Sequence, residues 1–63
     1  MLRVLHDMKR AKNWVVERID RQWRVTVQGK DANGVEHCRQ AMVGSYMAAT
    51  YLAARITKQL GLV

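Results

Sequence analysis

Apolar and polar residues alternate without a fault along Trp23-Arg24-Val25-Thr26-Val27-Gln28. A period of two predicts a strand with Trp23, Val25 and Val27 on a covered face and Arg24, Thr26 and Gln28 on the other. Upstream, Trp14-Val15-Val16-Glu17-Arg18-Ile19 is dense in β-branched and aromatic residues and reads as another strand. Its phase is open. Either Val15 and Ile19 face inward around Glu17, which turns Trp14, Val16 and Arg18 outward, or Trp14 and Val16 face inward with Arg18. Asp20-Arg21 separates the two strands and predicts a tight hairpin.

After Gln28, Gly29-Lys30-Asp31-Ala32-Asn33-Gly34 holds two glycines and an Asn-Gly pair, residues that tolerate the positive φ of a primed hairpin turn. A third strand follows from Val35 through Glu36-His37-Cys38-Arg39-Gln40 towards Met42. With Cys38 and Met42 in the core, His37 and Arg39 share the outer face with Arg24 and Thr26, and Glu36 points inward near the rim. Val43-Gly44-Ser45 then breaks the strand pattern. Ser45 is suited to cap a helix from Tyr46 to Leu60, which is rich in alanine, free of proline and followed by Gly61 where a helix-ending glycine belongs. Ala49, Leu52, Ala53, Ile56 and Leu60 form one apolar stripe at helical spacing, a cover for Trp23, Val25 and Val27.

The expected architecture is therefore α+β. Three antiparallel strands carry one C-terminal helix on one face (βββα) over residues 14–61 of a single domain spanning 1–63. Met1 to Lys12 is less defined: Leu2, Leu5 and Met8 recur every three residues while Val4 and Ala11 fall off that line, so a short helix and a basic arm both fit.

Composition narrows the function. Sixty-three residues leave no room for two cores, and without Phe and with a single Cys neither a large aromatic core nor an internal disulfide supports the fold. Self-association is the natural compensation, and pairing of the alanine-rich helix with its twin is one route to a homodimer. One cysteine also excludes multi-Cys metal modules and suits a reducing compartment. Arg3, Asp7, Lys9, Arg10 and Lys12 interrupt any apolar run that would serve as a secretory signal, and Met47 to Ile56 is far shorter than a membrane span. A cytoplasmic protein with no membrane partner is expected. The net charge of +6 points to polyanions. Residues 1–30 hold eight Lys and Arg against three acids, whereas residues 31–63 hold three against two. The first half makes most of the basic surface.

Catalysis is not expected. His37 and Cys38 are neighbours in a strand and point to opposite faces, so they cannot form a nucleophile and base pair there. Paired carboxylates and a phosphate-binding glycine loop are both missing, and His6, His37 and Cys38 have no metal-ligand spacing. No cofactor is implied. Non-catalytic binding of nucleic acid, DNA rather than RNA, is the leading reading. Lys9, Arg10 and Lys12 would grip phosphates, while Trp14, Arg18, Arg24, Thr26, Gln28, His37 and Arg39 would line the outer sheet face, with Arg24, Gln28 and Arg39 nearest the bases. The alternative is a small adaptor or inhibitor, of the kind carried by phages and mobile elements, that occupies an acidic surface of a host protein. Exposed Trp14, Tyr46 and Tyr51 would be its anchors.

Trp-Val in the first strand, Trp-Arg-Val in the second, a Gly-containing turn and a helix opened by Gly-Ser resemble the small DNA-binding domains at the N-termini of tyrosine recombinases and in the plant AP2 transcription factors. The resemblance covers residues 14–61. It implies a three-stranded sheet set in the major groove, with Arg18, Arg24 and Arg39, and Trp14 beside them, as contact residues. The helix here opens on Tyr46-Met47-Ala48-Ala49, where those families carry an acidic residue followed by alanine.

Overall fold

A computed structural model describes residues 8–63. Four strands, β1 (Met8–Arg10), β2 (Trp14–Ile19), β3 (Gln22–Lys30) and β4 (Glu36–Val43), precede one helix, α1 (Tyr46–Leu60). The strands pair antiparallel in the order β1-β2-β3-β4. The chain is thus a small α+β fold with one C-terminal helix, but its sheet has four strands, not three. The added strand is Met8-Lys9-Arg10, where a helix or an arm had been expected. Lys9 lies opposite Val16 and Arg10 opposite Val15, and an exposed edge of this kind tolerates cations that a central strand would not. Leu2, Leu5 and His6 lie outside the described residues.

Asp20 and Arg21 form the two-residue hairpin, with Ile19 opposite Gln22 and Asp20 at φ 57°. Aspartate is among the few side chains that accept the left-handed region. That hairpin dictates the phase of β2. Counting back from the turn, Arg18 faces Trp23, Val16 faces Val25 and Trp14 faces Val27, so Trp14, Val16 and Arg18 take the helix side of the sheet.

The connection from β3 to β4 is a five-residue loop, Asp31 to Val35, in place of a primed two-residue turn at Asn33-Gly34. Asp31 builds it. Its Oδ1 accepts from the backbone N–H of Asn33 (2.9 Å) and of Val35 (3.0 Å), and its own N–H donates to the Val35 carbonyl (3.0 Å). Only Gly34 takes a positive φ, 80°. This loop aligns Val27 with Arg39, Val25 with Ala41 and Trp23 with Val43. Cys38 and Met42, expected in the core, stand on the open face, with Met42 46% exposed. A one-residue slip relative to the expected hairpin inverts every side chain of a strand.

The helix forms as its sequence implies. The Ser45 side chain accepts from the Ala48 N–H at 3.1 Å, and Gly61 at φ 67° closes the other end, where the Gly61 N–H donates to Lys58 O and the Leu62 N–H to Thr57 O. Val16, Val25 and Val27 are fully buried under Ala49 and Ala53, and Trp14, Trp23, Val43, Leu52, Ile56, Leu60 and Leu62 surround them. The alanines let the helix approach the valines closely. Tyr46 packs edge-on against Trp23 with ring centroids 5.1 Å apart.

Candidate nucleic-acid interface

The helix covers one face of the sheet and leaves the other open. From the register, the open face carries Met8 and Arg10 from β1, Val15, Glu17 and Ile19 from β2, Gln22, Arg24, Thr26, Gln28 and Lys30 from β3, and Glu36, Cys38, Gln40 and Met42 from β4. Arg24, Thr26 and Gln28 therefore sit where the alternation placed them. The expected cluster around them is only partly present. Lys9, Arg18, His37 and Arg39 lie on the helix side of the sheet, so the three arginines Arg18, Arg24 and Arg39 do not share a face. Trp14 is likewise on the helix side and packs against the core.

Arg24 is constrained as well as exposed. Its Nη2 and Nε donate to Glu17 Oε1 at 2.9 and 3.3 Å. The two side chains are 40% and 31% exposed, and an ion pair so accessible contributes at most about 1 kcal/mol. It does, however, offset the Arg24 charge at the centre of the face. Gln40 Nε2 reaches Thr26 Oγ1 at 3.4 Å, a long contact that orients the hydroxyl weakly.

Two further cations, Arg10 and Lys12, stand at one end of this face. A cleft of about 190 Å³ is lined by Arg10, Ala11, Lys12, Asn13, Trp14, Val15, Thr26 and Gln28. Backbone bonds set its floor and wall. The Ala11 N–H donates to the Trp14 carbonyl (2.9 Å), closing the β1–β2 turn, and the Gln28 N–H donates to the Asn13 carbonyl (2.8 Å), tying that turn to β3. Asn13 also lies hard against Gly29, where a Cβ would come within 2.8 Å of its Oδ1. None of the lining residues is acidic. No protein-family model, curated protein or solved structure matches this chain. Its chemistry is accordingly read from this surface alone.

Of the ten residues singled out from the sequence, Arg10, Lys12, Trp14, Thr26 and Gln28 converge on the cleft, and Arg24 lies on the same face beyond Thr26. Asn13, Lys30 and Gln40 were missed. Asn13 was hidden by its place in a turn whose first strand had not been recognised, and Gln40 by the inverted phase of β4.

His37 serves the fold. Its Nε2 meets Asp31 Oδ2 at 2.9 Å on the helix side of the sheet. The bond to His37, followed by the Val35 N–H, holds the Asp31 carboxyl below its ordinary value of 3.8. Among the described residues no three His, Cys, Asp or Glu side chains come together, and no helix is long and apolar enough to cross a membrane.

Proposed function

We propose that the protein binds nucleic acid without catalysis, duplex DNA in preference to RNA, through the open sheet face and the cleft at its β1–β2 end. The observation that carries this reading is the cleft itself. Two cations, Arg10 and Lys12, stand beside the neutral hydrogen-bonding residues Thr26 and Gln28, with Asn13 and Trp14 also in the lining and no acid among them. Phosphate oxygens need cations and donors, and base edges need donors and acceptors held in register by a strand. Trp14 is the one aromatic residue lining the cleft, and among the described residues the rest of the open face carries none. Single strands are usually held by stacking on several such rings, which favours a duplex.

In this arrangement Arg10 and Lys12 hold phosphates, Thr26 and Gln28 lie nearest the bases, and Arg24 reaches a phosphate once it leaves Glu17. The contact set differs from the one implied by the resemblance to strand-and-helix DNA-binding domains, because Arg18, Arg39 and Trp14 lie on the helix side. A titration against duplex DNA in low and moderate salt tests the proposal. Binding that weakens steeply as salt rises is expected, and no binding at low salt would overturn it.

A second reading is favoured by the outer side of the helix. Met47 and Tyr51, one turn apart, are 79% and 66% exposed. An adaptor that docks this stripe on a protein partner would keep that partner through nuclease treatment; loss of every partner under nuclease counts against it.

A further inference from the structure

We infer that two copies of the chain pair edge to edge through β4, with a two-fold axis passing through Gln40, to make one continuous eight-stranded antiparallel sheet. β4 has β3 on one side and, among the described residues, no strand on the other. An edge eight residues long offers a row of backbone donors and acceptors for another strand. Such edges are ordinarily blunted by proline, by charged side chains, lysine above all, or by a bulge. Glu36 to Val43 contains no proline and no lysine, its two charged residues are Glu36 at the strand's first position and the exposed Arg39 on the helix side, and its pairing with β3 runs without interruption from Trp23–Val43 to Lys30–Glu36.

The occupant is identified by the fit of the strand to itself. When two identical strands pair about an axis perpendicular to the sheet, residues directly opposite must share a face, so the axis passes through a single residue position. An axis at Arg39 sets two like charges against each other. At Cys38 it opposes His37 to Arg39 and uses only residues 36–40; at Ala41 the overlap shrinks to 39–43. The axis at Gln40 avoids all three faults. It places the two Gln40 amides together, Cys38 against Met42 of the second copy, Arg39 against Ala41 and His37 against Val43. Cys38 and Met42, both exposed apolar side chains on the open face, then cover one another twice. The two Arg39 residues fall on the diagonal, about 7–8 Å apart with their Cβ atoms somewhat closer, where long side chains can diverge.

Energetics point the same way. The largest fully buried side chains of the monomer are three valines, so much of the stability that a small core cannot supply has to come from further burial. The pairing also sets two open faces side by side, each with its own cleft at the far end from the junction. The inference does not depend on what the clefts bind.

Met42→Cys tests both the dimer and its register. Within one strand, positions 38 and 42 are about 13 Å apart, beyond the reach of a disulfide. Across the proposed junction they are directly opposite, at about 4.5–5.5 Å between Cα atoms, which a disulfide spans. Met42→Cys treated with oxidised glutathione should give a dimer on a non-reducing gel. The parent chain, with Cys38 alone, and the Cys38→Ser/Met42→Cys variant, with position 42 alone, should remain monomeric on the same gel. Sedimentation equilibrium of the untreated parent should give twice 7.3 kDa. A mass of one chain at the highest soluble concentration overturns the dimer, and cross-linking no greater than in the two controls overturns this junction even if the mass is doubled.

Discussion

Val25 sits at the centre of the buried cluster, fully enclosed by Val16, Val27, Ala49 and Ala53. Truncation there removes two methyl groups and leaves space that the β-sheet backbone cannot collapse to fill. Val25→Ala is expected to cost about 2 kcal/mol, read as a lower urea midpoint with an unchanged slope. Asp31 makes a different kind of contribution. Its carboxylate accepts two backbone bonds and holds His37, which lowers its folded pKa below the unfolded one. Stability from this group is complete above pH 4 or so and is lost as pH falls through the lowered folded value. Asp31→Asn should therefore melt at a lower temperature than the parent at neutral pH, and the gap should narrow as pH falls below about 4. A gap independent of pH would show that the charge plays no part.

At the scale of elements, the helix was legible down to its caps, because capping and stripe are local in sequence. Ser45→Ala removes the bond to Ala48 and Gly61→Ala forces a side chain into φ 67°; each should lower stability by about 1 kcal/mol in urea unfolding. The strands were legible as elements, but their faces were not all legible as surfaces. A two-residue turn at Asp20-Arg21 already implies that Val16 opposes Val25, so the phase of β2 was recoverable by counting outward from the turn. For β4 the same counting misleads. A two-residue turn at Asn33-Gly34 would oppose Val27 to Gln40 and turn Cys38 and Met42 inward; the loop that Asp31 organises moves the register by one and turns Arg39 and Ala41 inward instead. The strength of an Asx-type loop relative to an Asn-Gly turn depends on which carboxylate oxygen meets which amide, and that is not written in residue type. β1 was missed because Met-Lys-Arg has no strand propensity of its own and is ordered by pairing with β2.

For the whole molecule, the consequence of these registers is a redistribution of charge. A net charge of +6 does not lie on one side. Arg10, Arg24 and Lys30 are on the open face with Lys12 at its rim, whereas Lys9, Arg18 and Arg39 are on the helix side of the sheet. Composition shows the charge and cannot show this division. The claim that the cleft is the binding surface is most directly tested by the salt dependence of duplex DNA affinity in two variants of equal charge. Removing two phosphate contacts lowers the slope of log K against log salt by about 1.8 units. Arg10→Gln/Lys12→Gln is expected to show that loss, and Arg18→Gln/Arg39→Gln to keep the slope of the parent. An equal or larger loss in the second variant would contradict the assignment of the site to the open face.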